Sequence, residues 1–218
     1  MRKYLAGLAL IFVALGVVVV WRAVQFKPVT VNVPAAEPFT PLAGAPERLA
    51  SGVQIATVSP ADSLTRDRAA FSAFHVFLAT SYPRVHLTMQ RENVGRDALL
   101  FTWRGTDSTL APIVLMGHMD VVPVASGTDS LWKHAPFSGD IADGFVWGRG
   151  TLDDKSTVLG ILEACEALIT SGFKPARTII LSFGADEEAG GESGAKVIAA
   201  LLESRGIKPL FVVDEGGT

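Results

Sequence analysis

A single cysteine, Cys165, occurs in 218 residues. No internal disulfide can form, so the fold must rest on its apolar core, and a thiolate-built zinc site is excluded. Cys165 falls in a helical apolar pattern with Val158, Leu162, Leu168 and Ile169. It therefore reads as a core side chain rather than a reactive thiol. An excess of one charge is missing too: 19 Lys and Arg face 22 Asp and Glu, a formal net charge of −3. The cations are scattered and form no basic stripe, which argues against nucleic acid as a partner. Gly148-Arg149-Gly150, followed by Thr151, Lys155 and Ser156, lacks the spacing of a phosphate-binding P-loop. A disordered chain is excluded by composition, since 49% of the residues are apolar.

What is present begins at the N-terminus. Arg2 and Lys3 precede an uncharged apolar run from Tyr4 to Trp21, closed by Arg22. As a helix this run rises about 27 Å, near the thickness of a bilayer's hydrocarbon core, and continuing to Val24 completes the span. The run is longer than the apolar core of a cleaved signal, and no small-x-small site follows closely, which favours a signal anchor over a cleaved signal. Residues 1–25 are thus expected to be a transmembrane helix and 26–46, rich in Pro, Ala, Val and Thr, an extended linker. The globular part, 47–218, is expected outside the cytoplasm, membrane-anchored, or secreted if the segment is cleaved.

Within 47–218 the periodicity predicts helices at Glu47–Ser51, Asp62–Ser81, Asp153–Ser171 and Ser193–Ser204. The apolar face of the second comprises Leu64, Phe71, Phe74, Val76 and Phe77. Strands are predicted at Val85–Gln90, Ala98–Arg104, Pro112–Gly117, Thr178–Phe183 and Leu210–Val213, with a polar bend between the first two. From Pro112 onward strand and helix alternate. The expected fold class is α/β, with a mixed, largely parallel sheet covered by helices.

Ligands of such sheets collect at the carboxyl ends of strands. His118 and Asp120 follow one predicted strand, Asp186-Glu187-Glu188 a second and Asp214 a third, while Asp153-Asp154 opens a helix after a Gly-rich bend. Two residues apart on extended chain, His118 and Asp120 point the same way, as a ligand imidazole and its carboxylate partner require. Metal-assisted hydrolysis needs one carboxylate to coordinate and another to accept a proton, and Glu187-Glu188 offers both. Each cluster has a plainer reading: a loop histidine, a helix cap at Asp153-Asp154, a solvated acidic loop, a turn aspartate. Trp132, His134 and Phe137 read as a packed aromatic loop or as a cleft wall. Imidazole and carboxylates without thiolates suit one or two divalent ions of the zinc or cobalt type.

In this order the four clusters resemble the M20 family of metallopeptidases. The carrying stretches are Leu115–Pro123, Trp147–Lys155, Gly184–Glu188 and Val213–Gly217. From Arg48 to Gly217 the chain is most similar to the carboxypeptidase S branch, which includes secreted N-fatty-acyl amino acid hydrolases. The resemblance implies a zinc-peptidase-like catalytic domain holding two divalent metal ions, most often Zn2+, with Co2+ an alternative. It implies His118, Asp153, Glu188 and Asp214 as metal ligands, with Asp153 bridging. Asp120 would orient His118, and Glu187 would be the general base. Glu215 competes with Asp214 for its role. A cis peptide between Asp153 and Asp154 is implied too.

The bond cleaved would be an amide, in a peptide or an N-acyl amino acid, leaving a product with a free carboxylate. An aminoacylase acting on N-fatty-acyl amino acids is the alternative enzyme. A non-catalytic, membrane-tethered binding or scaffold module is the alternative of a different class. The family's last histidine ligand, its lid domain (often the dimerisation surface) and the second half of its catalytic domain have no counterpart before Thr218. On that reading 47–218 is the N-terminal part of the domain, expected to be inactive alone, with homodimerisation a property of a longer form.

Overall fold

The computed structural model describes residues 2–27, 40–60 and 65–215. The chain divides into two compact units, Met1–Phe39 and Thr40–Thr218. In the first, helix α1 (Arg2–Gln25) leaves its apolar side chains exposed along its length. It is long and apolar enough to cross a membrane, a property signal sequences share. Most of the expected linker lies outside the described residues.

The second unit opens with helices α2 (Ala45–Val53), α3 (Arg68–Ser81) and α4 (Pro83–Thr88). Strands β1 (Gln90–Val94), β2 (Ala98–Trp103) and β3 (Ile113–His118) follow, then a hairpin of β4 (Ile141–Ala142) and β5 (Phe145–Val146). Helix α5 (Lys155–Thr170), strand β6 (Ile179–Gly184), helix α6 (Ala195–Ser204) and strand β7 (Val212–Val213) complete it. The main sheet has the order β1-β2-β6-β3-β7. β3 pairs in parallel with β6 and β7, while β2 is antiparallel to both β1 and β6. All strands but β2 therefore run the same way, the mixed and largely parallel sheet expected.

Both faces of the sheet are covered. Gly117 lies against Thr157 and Val158 of α5. Val114 and Met116, on the opposite face by the period of two, line a cavity beneath α6. Gly117 is needed where β3 meets α5: a Cβ there would come 2.9 Å from Asp154 Oδ2 and 3.3 Å from Val158 Cγ2. The core joins Phe71, Phe74 and Leu78 of α3 to Leu99 and Phe101 of β2, Phe183 of β6 and Val158 and Leu162 of α5. Cys165 is buried among them, and burial pushes its thiol up to about 12.

Three expectations are corrected. Val85–Gln90, read as a strand, is largely helix α4. Pro83 sits in its first turn, and the Glu166 carboxylate of α5 accepts the amides of Arg84 (3.0 Å) and Val85 (2.9 Å). A distant side chain thus supplies the cap that makes a helix of a β-prone stretch. β1 begins at Gln90, and the polar bend shrinks to a turn around Gly95. Helix α3 starts at Arg68 rather than Asp62, because the Asp67 carboxylate accepts the Ala69 amide at 2.9 Å and caps it. Its buried face is Phe71, Phe74 and Leu78, with Phe77 packed against the core as expected, and Val76 points outward at 67% exposure. Asp62 and Leu64 lie outside the described residues. The β4–β5 hairpin was not expected, although Asp143 (φ 55°) and Gly144 (φ 81°) form the Asp-Gly turn that marks one.

Candidate metal centre

His118 is the last residue of β3, in register with Gly184 of β6. Its side chain is 3% exposed. The backbone amide donates to Asp154 Oδ2 at 3.1 Å, Nδ1 lies 3.0 Å from the Asp120 carbonyl, and Nε2 lies 2.9 Å from Asp153 Oδ1. An Nδ1–H donated to the Asp120 carbonyl leaves Nε2 as the atom that faces the carboxylates.

Asp120 is fully buried. It orients His118 mainly through its carbonyl, since its carboxylate is farther from Nδ1, at 3.4 Å. That carboxylate instead accepts the amides of Glu187 (3.1 Å) and Glu188 (3.2 Å), holding the short 3₁₀ turn Glu187–Ala189 after β6. Asp186 points back, accepting the Ser193 amide and hydroxyl at 2.7 Å each. Gly194 leaves it room, for a Cβ there would fall 2.4 Å from Asp186 Oδ1.

Donor atoms of His118, Asp153 and Glu188 lie within 4.8 Å of one another, and so do those of His118, Asp154 and Glu215. Glu187 Oε2 stands 3.9 Å from His118 Nε2, and Glu215 Oε2 stands 3.6 Å from it. The peptide between Asp153 and Asp154 is cis. Asp214 enters neither donor group among the described residues; its Oδ1 accepts the Glu215 amide at 3.0 Å. β7 pairs with β3 at Leu115↔Val213. Continuing that register sets Asp214 beside Met116, on the face of alternation that His118 shares, and Glu215 beside Gly117, on the other face, yet it is Glu215 whose carboxylate comes within 3.6 Å of the imidazole. Both acids border the same cavity of about 280 Å³ with His118 and Glu187.

So many carboxylates around one imidazole shift its protonation. Burial alone would lower His118, but hydrogen bonding and charge from Asp120, with the charges of Asp154 and Glu215, raise it to about 10. Burial raises Glu188, and the charge of Asp153 adds to the effect. Burial likewise raises Asp154 and Glu215. In Asp120, burial is outweighed by hydrogen bonds from His118 and Ser59, which hold the carboxyl below its usual range. A cluster of acids that raise one another's pKa, with an imidazole nitrogen turned into it, has the donor chemistry of a divalent cation site.

Sequence reasoning missed several supports. Asp154 was read as a helix cap, yet its carboxylate makes no cap bond and instead holds the His118 amide. Lys155 is fully buried, and its Nζ donates to the carbonyls of Gly52 (3.0 Å) and Ile55 (2.5 Å) at the end of α2. Burial pulls this ammonium down to about 7. The aromatic loop proves both packed and cleft-lining. His134 stacks on Trp147 at 4.6 Å, and Leu131, Trp132, Phe145 and Leu152 border a cavity of about 890 Å³.

Comparison with known proteins bears on these residues directly. Residues 114–218 match peptidase family M20/M25/M40. Over 173 residues the chain is 42% identical to a probable carboxypeptidase S-like 2 of Dictyostelium discoideum, covering 78% of this chain and 33% of that protein. It is 42% identical over 180 residues to carboxypeptidase S of Saccharomyces cerevisiae, covering 78% and 31%. A human N-fatty-acyl-amino acid synthase/hydrolase, PM20D1, is 42% identical over 173 residues, covering 78% and 34%. The chain thus spans about a third of the length of these curated relatives. Among solved structures, the M20 family metallo-carboxypeptidase Sso-CP2 of Sulfolobus solfataricus superposes with a TM-score of 0.63 at 20% identity, covering 81% of this chain and 38% of that one. Human carnosine dipeptidase 1 gives 0.59 at 20% identity, covering 82% and 42%. Motif order, fold and sequence identity point the same way: residues 114–218 match the M20 peptidase family, and the chain is similar to carboxypeptidase S-like proteins over 78% of its length.

Proposed function

We propose that this protein is a metal-dependent amide hydrolase that releases an amino acid with a free carboxylate from a peptide, in the manner of a carboxypeptidase. The observation that carries the reading is the convergence of His118, Asp153 and Glu188 donor atoms within 4.8 Å, with Glu187 3.9 Å from His118. His118, Asp153 and Glu188 would hold two divalent ions, taken as zinc, together with a carboxylate from Asp214 or Glu215. When bound, the ions supply Lewis acidity toward the amide carbonyl and lower the pKa of water. Asp153 has two carboxylate oxygens, so it can serve both ions. Asp120 keeps the imidazole oriented. Glu187, 51% exposed at the side chain, is free to take a proton from the attacking water and deliver it to the leaving nitrogen.

Binding and turnover test these roles together. Zn2+ or Co2+ titrated into the 218-residue chain should bind, and Glu188→Gln should weaken that binding. Glu187→Gln should leave it intact while abolishing any chelator-sensitive release of amino acids. Equal loss of metal in both variants would mean that the two roles are misassigned.

A second reading, hydrolysis of N-fatty-acyl amino acids, is favoured by the aromatic cavity. Leu152, 84% exposed, borders it and immediately precedes Asp153, so an apolar substrate group would have a wall beside the ligands. A panel of dipeptides and N-acyl amino acids of increasing chain length separates the two readings. We further place the catalytic unit outside the cytoplasm, anchored by α1. A mature N-terminus between Ala23 and Ala36 would replace the anchor with secretion.

A further inference from the structure

The acidic turn poses a mechanical problem. Glu187 and Glu188 follow one another, face Asp153 and Glu215, and repel those carboxylates. A turn under that repulsion keeps its shape only if its backbone is held. The amides of Glu187 and Glu188 are held by Asp120. The other end of the turn is the carbonyl of Ala185, the residue directly after β6, and its partners come from outside the motifs. Ser59 Oγ donates to it at 3.3 Å, and so does Arg66 Nη1 in a short hydrogen bond.

Arg66 is unusual for an arginine. Its side chain is 1% exposed, its Nη2 donates to Asp97 Oδ2 at 2.8 Å, and its guanidinium lies 4.6 Å from the Phe71 ring centroid. A buried ion pair contributes little stability beyond what apolar side chains of similar volume would give. What a guanidinium adds is a rigid planar fork whose two arms fix two acceptors relative to each other. Here one arm takes Asp97, in the turn between β1 and β2, and the other takes Ala185. Neighbouring Arg68 also reaches Asp97, at 3.4 Å, but its side chain is 64% exposed and its other hydrogen bond goes to the Arg96 carbonyl, in the β1–β2 turn.

We propose that Arg66 is a positioning residue for the metal centre: by anchoring the Ala185 carbonyl to Asp97, it sets where the carboxylates of Glu187 and Glu188 stand over His118. The proposal rests on the metal-centre reading and adds to it a residue outside all four motifs. Asp97 retains Arg68 when Arg66 is changed, which limits the damage to the fold.

The test uses the full 218-residue chain with Co2+ as the probe. Arg66→Lys keeps a cation against Asp97 but has no fork, Arg66→Met keeps bulk alone, and Arg68→Met is the surface control. Each is compared with the parent for thermal midpoint, Co2+ dissociation constant and visible Co2+ spectrum. Both Arg66 variants should lose about 10- to 100-fold in Co2+ affinity, the size of effect typical of groups that orient metal ligands, with an altered spectrum. Arg68→Met should match the parent in both. If Arg66→Lys lowers the thermal midpoint while affinity and spectrum stay unchanged, Arg66 is structural only and the proposal falls. If the unmodified chain itself binds no Co2+, the metal-centre reading has failed, an outcome recognisable before any variant is made.

Discussion

Two strand ends bring carboxylates to His118, and they are built very differently. β6 lies inside the sheet between β2 and β3, and the turn after it is gripped by Asp120, Ser59, Arg66 and Ser193. Among the described residues β7 lies at the sheet edge, pairs with β3 at Val212 and Val213, and leaves both of those side chains about half exposed. At its end the Glu215 amide donates to the neighbouring Asp214 carboxylate. The same chemistry thus rests on a rigid support at one end and on a lightly held one at the other. In the proposed metal centre the carboxylates at β6 would meet an ion preorganised, whereas those at β7 are held mainly by the pairing of an edge strand.

The severest way to break this comparison is to remove the group both sides share. His118 belongs to both donor groups. His118→Ala should therefore abolish binding at either, a loss beyond about 100-fold, since even residues that merely orient ligands cost that much. Isothermal titration with Zn2+ measures it. Retention of one tight site would show that the two groups do not depend on a common imidazole.

A smaller effect distinguishes the acids of β7. Distance favours Glu215 over Asp214, so Glu215→Gln should weaken Zn2+ by more than Asp214→Asn does, by roughly tenfold if the carboxylate is a ligand. The reverse order would mean that binding rotates the end of β7 by one residue, which would make the edge strand adaptable rather than merely exposed.

Protons sharpen the comparison further. His118 is raised from its ordinary 6.5 to about 10, with burial opposing and the surrounding carboxylates prevailing. A histidine raised in the folded state stabilises the metal-free fold fully below pH 6.5, and that contribution is lost as pH rises through about 10. An ion binding at pH 7 must displace this proton. Titrations in buffers of different ionisation enthalpy should report release of about one proton per His118-bound ion, and affinity should rise with pH up to the imidazole pKa. Binding without proton release at pH 7 would show that His118 is already neutral.

The smallest expected effect lies away from both ends. Asp67→Ala removes the cap of α3 and should cost about 1 kcal/mol of stability in chemical denaturation, with Zn2+ affinity unchanged.

Much of this architecture was legible because the signals were local. Runs such as Val114–Gly117 and Thr178–Phe183 are too apolar to lie anywhere but inside a covered sheet, and the donors follow them at the strand ends. What escaped was set by distant partners. Nothing near Val85 announces that Glu166, some eighty residues later, will cap it into a helix. The choice between Asp214 and Glu215 depends on how the end of β7 settles beside His118, which no window of sequence contains. Arg66 and Ser59 carry no motif, and their relation to Ala185 exists only after folding. Asp143-Gly144 and the Asp67 cap are misses whose signals were local and in plain view.

Helix α5 holds the outer helices in place. At its first residue Lys155 ties down the end of α2, at Glu163 it binds Arg48 of α2 and the Tyr82 hydroxyl, and at Glu166 it caps α4. Just ahead of its first turn stand Asp153 and Asp154. The rod that clamps the outer helices is therefore also the mount for two carboxylates of the site, so outer-layer packing and metal geometry are not separable cargo. Substitutions at Arg48 or Tyr82, remote in sequence from every candidate donor, will be inherited by the site as changes of alignment, and surveys of variation in this protein should find those positions as intolerant as the residues proposed to hold the ion.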